Sequence, residues 1–109
     1  MAYDEGLAQR LDERLAGRAG VTRKRMFGGL CFLLHGNMFV GIVRDALMVR
    51  VGPAAHAGAL ARPHAREMDF TGRPMKGYVF VDPAGFDSDA DLAGWVERAL
   101  RFVATLPAK

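Results

Sequence analysis

Between Leu30 and Val51 three strand-length runs, Leu30 to His35, Met38 to Val43 and Ala46 to Val51, consist almost wholly of apolar and β-prone residues. They are separated only by Gly36-Asn37 and Arg44-Asp45, whose composition suits two-residue hairpin turns. A chain with such a stretch near its middle is expected to be organised around an antiparallel sheet. Thr22 to Phe27 adds a strand in front, and Gly28-Gly29 after it suggests a bend or bulge where side chains are excluded.

Hairpin pairing sorts the side chains onto two faces. With Gly36-Asn37 as a two-residue turn, Leu33 pairs with Val40 and Leu34 with Phe39. With Arg44-Asp45 as another, Ile42 pairs with Leu47 and Val40 with Val49. One face then carries Cys31, Leu33, Val40, Ile42, Leu47, Val49 and Val51, and is expected to lie beneath helices. The other carries Phe32, Leu34, Phe39, Val43, Met48 and Arg50. An apolar sheet face that meets solvent marks a binding surface, so Phe32, Leu34, Phe39 and Met48 are the expected partner-binding residues. The competing expectation is that a terminal helix or the loop from Gly72 to Lys76 covers them.

The flanking segments supply the helices. Leu7, Leu11 and Leu15 form an apolar stripe within Asp4 to Arg18, which Gly17 and Gly20 close. Ala54 to Arg62 reads as an alanine-rich helix between Pro53 and Pro63, and Arg66 to Phe70 as a short edge strand. In the strand Lys76 to Val81, Tyr78 and Phe80 share one face and Val79 and Val81 the other. Asp87 to Asp91 combines cap residues with acids suited to a helix start, which favours capping over a metal site. Leu92, Trp95, Val96, Ala99, Val103 and Leu106 continue the stripe of that last helix, with Trp95 in the core. The expected fold is therefore α+β and two-layered. It has an antiparallel sheet of five to six strands and N-terminal, middle and C-terminal helices, in one domain over residues 1–109.

Catalytic chemistry is not legible. The single cysteine, Cys31, excludes an intramolecular disulfide or a cysteine-based metal cage, and in an apolar strand its thiol should be inert. His35, His56 and His64 share no ligand spacing. Tyr78 has no base near it in sequence, and Glu67, Asp69 and Asp82 lie beside turns with no apolar pocket suggested around them. A non-enzymatic protein with no cofactor and no metal is expected. Its polar start at Tyr3 to Glu5 argues against a secretory signal, and no apolar run approaches the ~20 residues needed to span a bilayer. A cytoplasmic location follows as an expectation.

The formal net charge is +3, made mostly by arginine. Arg10, Arg14 and Arg18 recur every four residues on the first helix, and Arg23, Lys24 and Arg25 follow directly. This cluster is the alternative site, for direct nucleic-acid binding through phosphates. It has no interleaved aromatic residues and no helix-turn-helix or zinc-finger spacing.

Arg23-Lys24-Arg25-Met26-Phe27-Gly28-Gly29, the hairpin ending in Gly36-Asn37-Met38-Phe39, the strand Leu47-Met48-Val49-Arg50-Val51, Pro74-Met75-Lys76-Gly77-Tyr78 and the closing helix Leu92 to Leu100 together resemble the N-terminal domain of the TfoX/Sxy family. The resemblance spans nearly the whole chain, and Met26-Phe27-Gly28-Gly29 and Met38-Phe39 are its most specific parts. It implies an α+β fold like that of secretion chaperones, here as a stand-alone N-terminal domain. It further implies a regulatory role connected with natural competence, in which full-length members, carrying a second domain, act as transcriptional coactivators with the cyclic-AMP receptor protein. The expected partner is a protein, either a transcription regulator or a second copy in a homodimer. The resemblance supplies no catalytic residues.

Overall fold

The computed structural model describes residues 3–26, 28–69 and 74–109. Helix α1 (Glu5–Leu15) starts where the Asp4 carboxylate accepts the Leu7 amide at 3.1 Å, and it buries Leu7, Ala8, Leu11 and Leu15. Strands β1 (Val21–Met26), β2 (Gly29–Leu34), β3 (Asn37–Val43) and β4 (Ala46–Arg50) follow as a meander. Helix α2 (His56–Leu60) is shorter than its alanine-rich segment promises, because only Ala59 is buried to anchor it. Strands β5 (Ala65–Asp69) and β6 (Pro74–Val81) form a hairpin, and α3 (Asp89–Val103) closes the fold from a Ser88 cap. The sheet is antiparallel throughout, in the order β1-β2-β3-β4-β6-β5. The fold is thus α+β, with a six-stranded open sheet and N-terminal, middle and C-terminal helices.

All three helices lie on one side. The core there joins Leu7, Leu11 and Leu15 of α1, Ala59 of α2 and Leu92, Trp95, Val96, Ala99, Leu100 and Val103 of α3 to the sheet. Its strand residues include Leu30, Phe32, Val40, Ile42, Leu47, Val49, Val79 and Val81. A second cluster on the opposite face, built on Cys31, Ala46, Met48, Met68 and Phe80, contains no helical residue among those described.

The second hairpin is paired as its turn signal predicts, with Val40 opposite Val49, Ile42 opposite Leu47 and Val43 opposite Ala46. The first is not. Its turn is His35-Gly36, with φ of 51° and 87°, so Leu34 rather than His35 flanks it and pairs with Asn37. Both turn positions need positive φ, which glycine adopts freely and histidine more readily than a branched residue. Asn37, read as a turn residue, is instead buried, and its Nδ2 donates to the Pro107 carbonyl at 2.9 Å. A register shift between Phe32 and Leu33 then places Phe32 opposite Val40 and Leu33 opposite Met38, with Phe39 as the extra residue.

Strand β2 is thereby turned over. A one-residue slip exchanges the faces of a whole strand, so Phe32 and Leu34 enter the helix-covered core, and the bulged Phe39 joins them there. These three do not form an open surface; their exposures are 2%, 7% and 0%. Cys31, expected beneath the helices, lies on the opposite face, beside Met48. Met48 itself does sit on the helix-free face, as do Val43, Tyr78 and Phe80, although Met48 is fully buried by its neighbours. Of the segments expected to cover that face, Met75 packs against it, whereas Phe70 to Arg73 lie outside the described residues.

Candidate interaction surface

The helix-free face is rich in sulfur. Cys31 from β2, Met48 from β4 and Met68 from β5 are buried at its centre, and Met26, Met38 and Met75 pack around them half-exposed. Every methionine after Met1 therefore stands on this one side. Gly41 of β3 explains how Met48 lies flat: a Cβ there would come within 2.8 Å of the Met48 methyl and 3.1 Å of the Cys31 Sγ. Methionine is unbranched and polarisable, so it fills an irregular, helix-free surface where branched side chains would leave gaps. Val43 and Tyr78 complete the half-exposed apolar ring, and Leu33 pairs opposite Met38.

The charges that strand pairing brings to this face have one sign. Lys24 is opposite Cys31, Arg66 opposite Phe80 and Arg50 opposite Tyr78. Arg66 pairs with Asp82 at 3.1 Å and lies over the Phe80 ring, 4.9 Å from its centroid. Arg50 is held between the Tyr78 and Phe102 rings, at 5.5 and 5.4 Å, and donates to the Met38 carbonyl at 3.3 Å. Asp82, directly after β6, brings a carboxylate to this face through its pair with Arg66.

The Cys31 thiol is pushed up from 9.0 to about 11 by burial, which keeps it protonated and a poor nucleophile near neutrality. His35 occupies the first hairpin turn, His64 a positive-φ position after α2, and His56 the start of α2. Among the described residues no three of histidine, cysteine, aspartate or glutamate gather as metal ligands.

The arginine cluster read from the sequence is dispersed. Arg10 donates to the Phe86 carbonyl at 2.9 Å and the Asp87 carbonyl at 3.3 Å, and meets Asp89 at 3.4 Å, tying α1 to the start of α3. Arg23 pairs with Asp12. Strand alternation then sends Lys24 to the face opposite Arg23 and Arg25. Arg14 borders a cleft with Glu13 and Asp89, and Arg18 one with Asp12. The six cations therefore do not converge on a single surface.

A helix-backed antiparallel sheet with one sulfur-lined face free of helices defines a small α+β domain whose distinctive chemistry lies on a surface. The family model for the TfoX N-terminal domain matches residues 13–103, and the chain belongs to that family. This is a non-catalytic domain family with, in general terms, a regulatory or interaction role. No curated protein and no solved structure matched the chain. No helix among the described residues is long and apolar enough to cross a membrane.

Proposed function

We propose that this chain is a non-enzymatic regulatory domain that acts in the cytoplasm by docking a protein partner on the helix-free sheet face. One observation carries the reading: Met26, Met38, Val43, Met75 and Tyr78 form a half-exposed apolar ring around a methionine-filled centre, on a face whose strand positions carry Lys24, Arg50 and Arg66, with Asp82 paired to Arg66 at its edge. Methionine surfaces re-pack to fit their ligands, and basic margins select acidic ones. The partner is therefore a protein segment that alternates apolar and acidic residues. A second copy would bring like charge against like charge. A transcription regulator of the kind that full-length relatives assist fits the reading if it presents such a segment.

Fluorescence anisotropy with a labelled peptide alternating leucine and aspartate tests this, with a leucine–lysine peptide as control. The acidic peptide should bind in a salt-sensitive way, and Met38→Asp and Lys24→Glu should each weaken it about tenfold or more while the protein stays folded. Equal binding of both peptides, or an unaltered affinity in both variants, would refute the docking surface. A dimer in light scattering that Met38→Asp dissociates would refute the choice of partner.

A further inference from the structure

On the helix side, the segment leaving β4, Val51 to Ala55, and the last turns of α3 enclose a cleft of about 280 Å³. Its walls are apolar, formed by Val51, Pro53, Ala54, Ala55 and the Phe102 ring. That ring sits so close to Gly52, at φ +87°, that a Cβ there would collide with it. Arg98 and Arg101 border the cleft. Arg98 lies over the Trp95 ring, 5.5 Å from its centroid, and Arg62, arriving from the end of α2, lies 6.0 Å over the same ring. Two guanidiniums thus border the apolar hollow, and a third, Arg62, shares the Trp95 ring with one of them.

Nothing described on the chain neutralises them. Arg10, Arg23 and Arg66 each have a carboxylate partner, whereas Arg62, Arg98 and Arg101 form no ion pair among the described residues. Glu97 stands four positions before Arg101, a spacing that commonly gives a pair, yet does not reach it. Other basic clefts differ: the one with Arg10 and Arg14 includes Glu13 and Asp89, and the one with Arg18 and Arg23 includes Asp12. Burial, then Arg62, then Arg101 pull the Arg98 guanidinium below its ordinary value, which registers the repulsion. The helix dipole favours Arg101 near the end of α3, but it gives no reason for Arg62 of another element to share the Trp95 ring with Arg98.

We propose that this cleft binds a small amphiphilic anion, a single carboxylate or phosphate on a compact apolar body. Arg98 and Arg101 pair with the anionic group, and Val51, Pro53 and Phe102 cover the apolar part. The guanidinium fork accepts either acid in two-point geometry, and the cleft volume is at the small end for ligand sites, so the body is no larger than a phenyl ring or a short alkyl chain. The site is on the helix side of the sheet and meets the docking face only where Arg50 lies over the Phe102 ring, so variants at Arg98 and Arg101 test it separately from that face.

Amide shifts of the labelled protein, titrated separately with phenylacetate, phenyl phosphate, phenylacetamide and inorganic phosphate, test the proposal. Saturable shifts at Gly52, Ala54, Ala55 and Phe102 are expected with at least one of the two aryl anions, about tenfold or more tighter than with the neutral amide or with phosphate alone. The tighter of the two aryl anions identifies the acid. Arg98→Gln and Arg101→Gln should each weaken binding about tenfold or more, with Arg25→Gln as an unaffected control. Arg101 is exposed, so its variant keeps the test valid if Arg98→Gln perturbs packing on Trp95. Absent shifts, equal affinity for phenylacetamide, or unchanged affinity in Arg101→Gln would overturn it.

Discussion

Met38 and Phe39 are neighbours in sequence at the bulge, and the bulge decides which of them belongs to the core. Phe39 is fully buried among helix-contacting residues, whereas Met38 is half-exposed on the other face. Replacing Phe39 by alanine removes a ring from a packed site and leaves a cavity, a change that costs about 3–5 kcal/mol. A domain of this size has roughly 5–15 kcal/mol of stability in all, so the variant should lose a fifth or more of it, with a melting temperature lower by about 10 °C or more. Met38→Ala strips a partly exposed chain and should cost no more than about 1.5 kcal/mol. Urea unfolding followed by circular dichroism measures both, and similar slopes would tie the midpoint shifts to stability. A straight hairpin turning at Gly36-Asn37 demands the reverse order, with Phe39 on the open face. A Met38→Ala cost equal to or above that of Phe39→Ala would refute the slipped register and the face assignment built on it.

Two further outcomes test particular contacts. Cys31 should resist thiol reagents in the native protein at pH 8 and react promptly once the chain is unfolded. Because its native pKa is raised from 9.0 to about 11, the unfolded chain gives up this proton first, so its stabilising contribution is full below pH 9 and is lost as pH rises towards 11. A Cys31→Ala variant, compared by denaturation across that window, should lack this component, about 1.4 kcal/mol per pH unit. Asn37→Ala should cost about 0.5–1.5 kcal/mol, since it removes the side-chain hydrogen bond to the carbonyl of the exposed Pro107. Amide exchange at Lys109, whose N–H bonds the His35 carbonyl at 2.8 Å, should accelerate in the same variant if the tail and turn are held together.

The chain's elements were legible because their signals are local. The Ser88 cap, the Leu7-Leu11-Leu15 stripe and the Arg44-Asp45 turn each occupy a few consecutive residues and match the structure. The first hairpin was not, because its register depends on Asn37 reaching the distant Pro107 and on His35 accepting positive φ. Neither is visible in the dipeptide Gly36-Asn37, which reads as a turn by composition. The candidate surface failed in the same way. Phe32, Leu34 and Phe39 lie on the strand and bulge that the slip displaces, while Met48, on a strand whose register the second hairpin fixes, keeps the face that its parity predicts.

The methionines carried a signal that sequence spacing concealed. Met26, Met38, Met48, Met68 and Met75 come from five different strands, two of them at or beside register shifts, so no single period in the chain links them. Only the assembled sheet brings them to one side, against helix-facing positions filled by valine, leucine, isoleucine and phenylalanine. That division has a physical basis: branched and aromatic side chains gain most where helices fix a complementary shape, and flexible thioethers lose least where no such partner is built in. The helix-free face is therefore filled by side chains that can rearrange, and the cations Lys24 and Arg50, with Arg66 already paired to Asp82, set the sign of what they rearrange around. Adaptable packing with fixed charge selects ligands by composition more than by shape, so binding should survive shuffling of the apolar residues in an acidic peptide and fail on reversal of its charge.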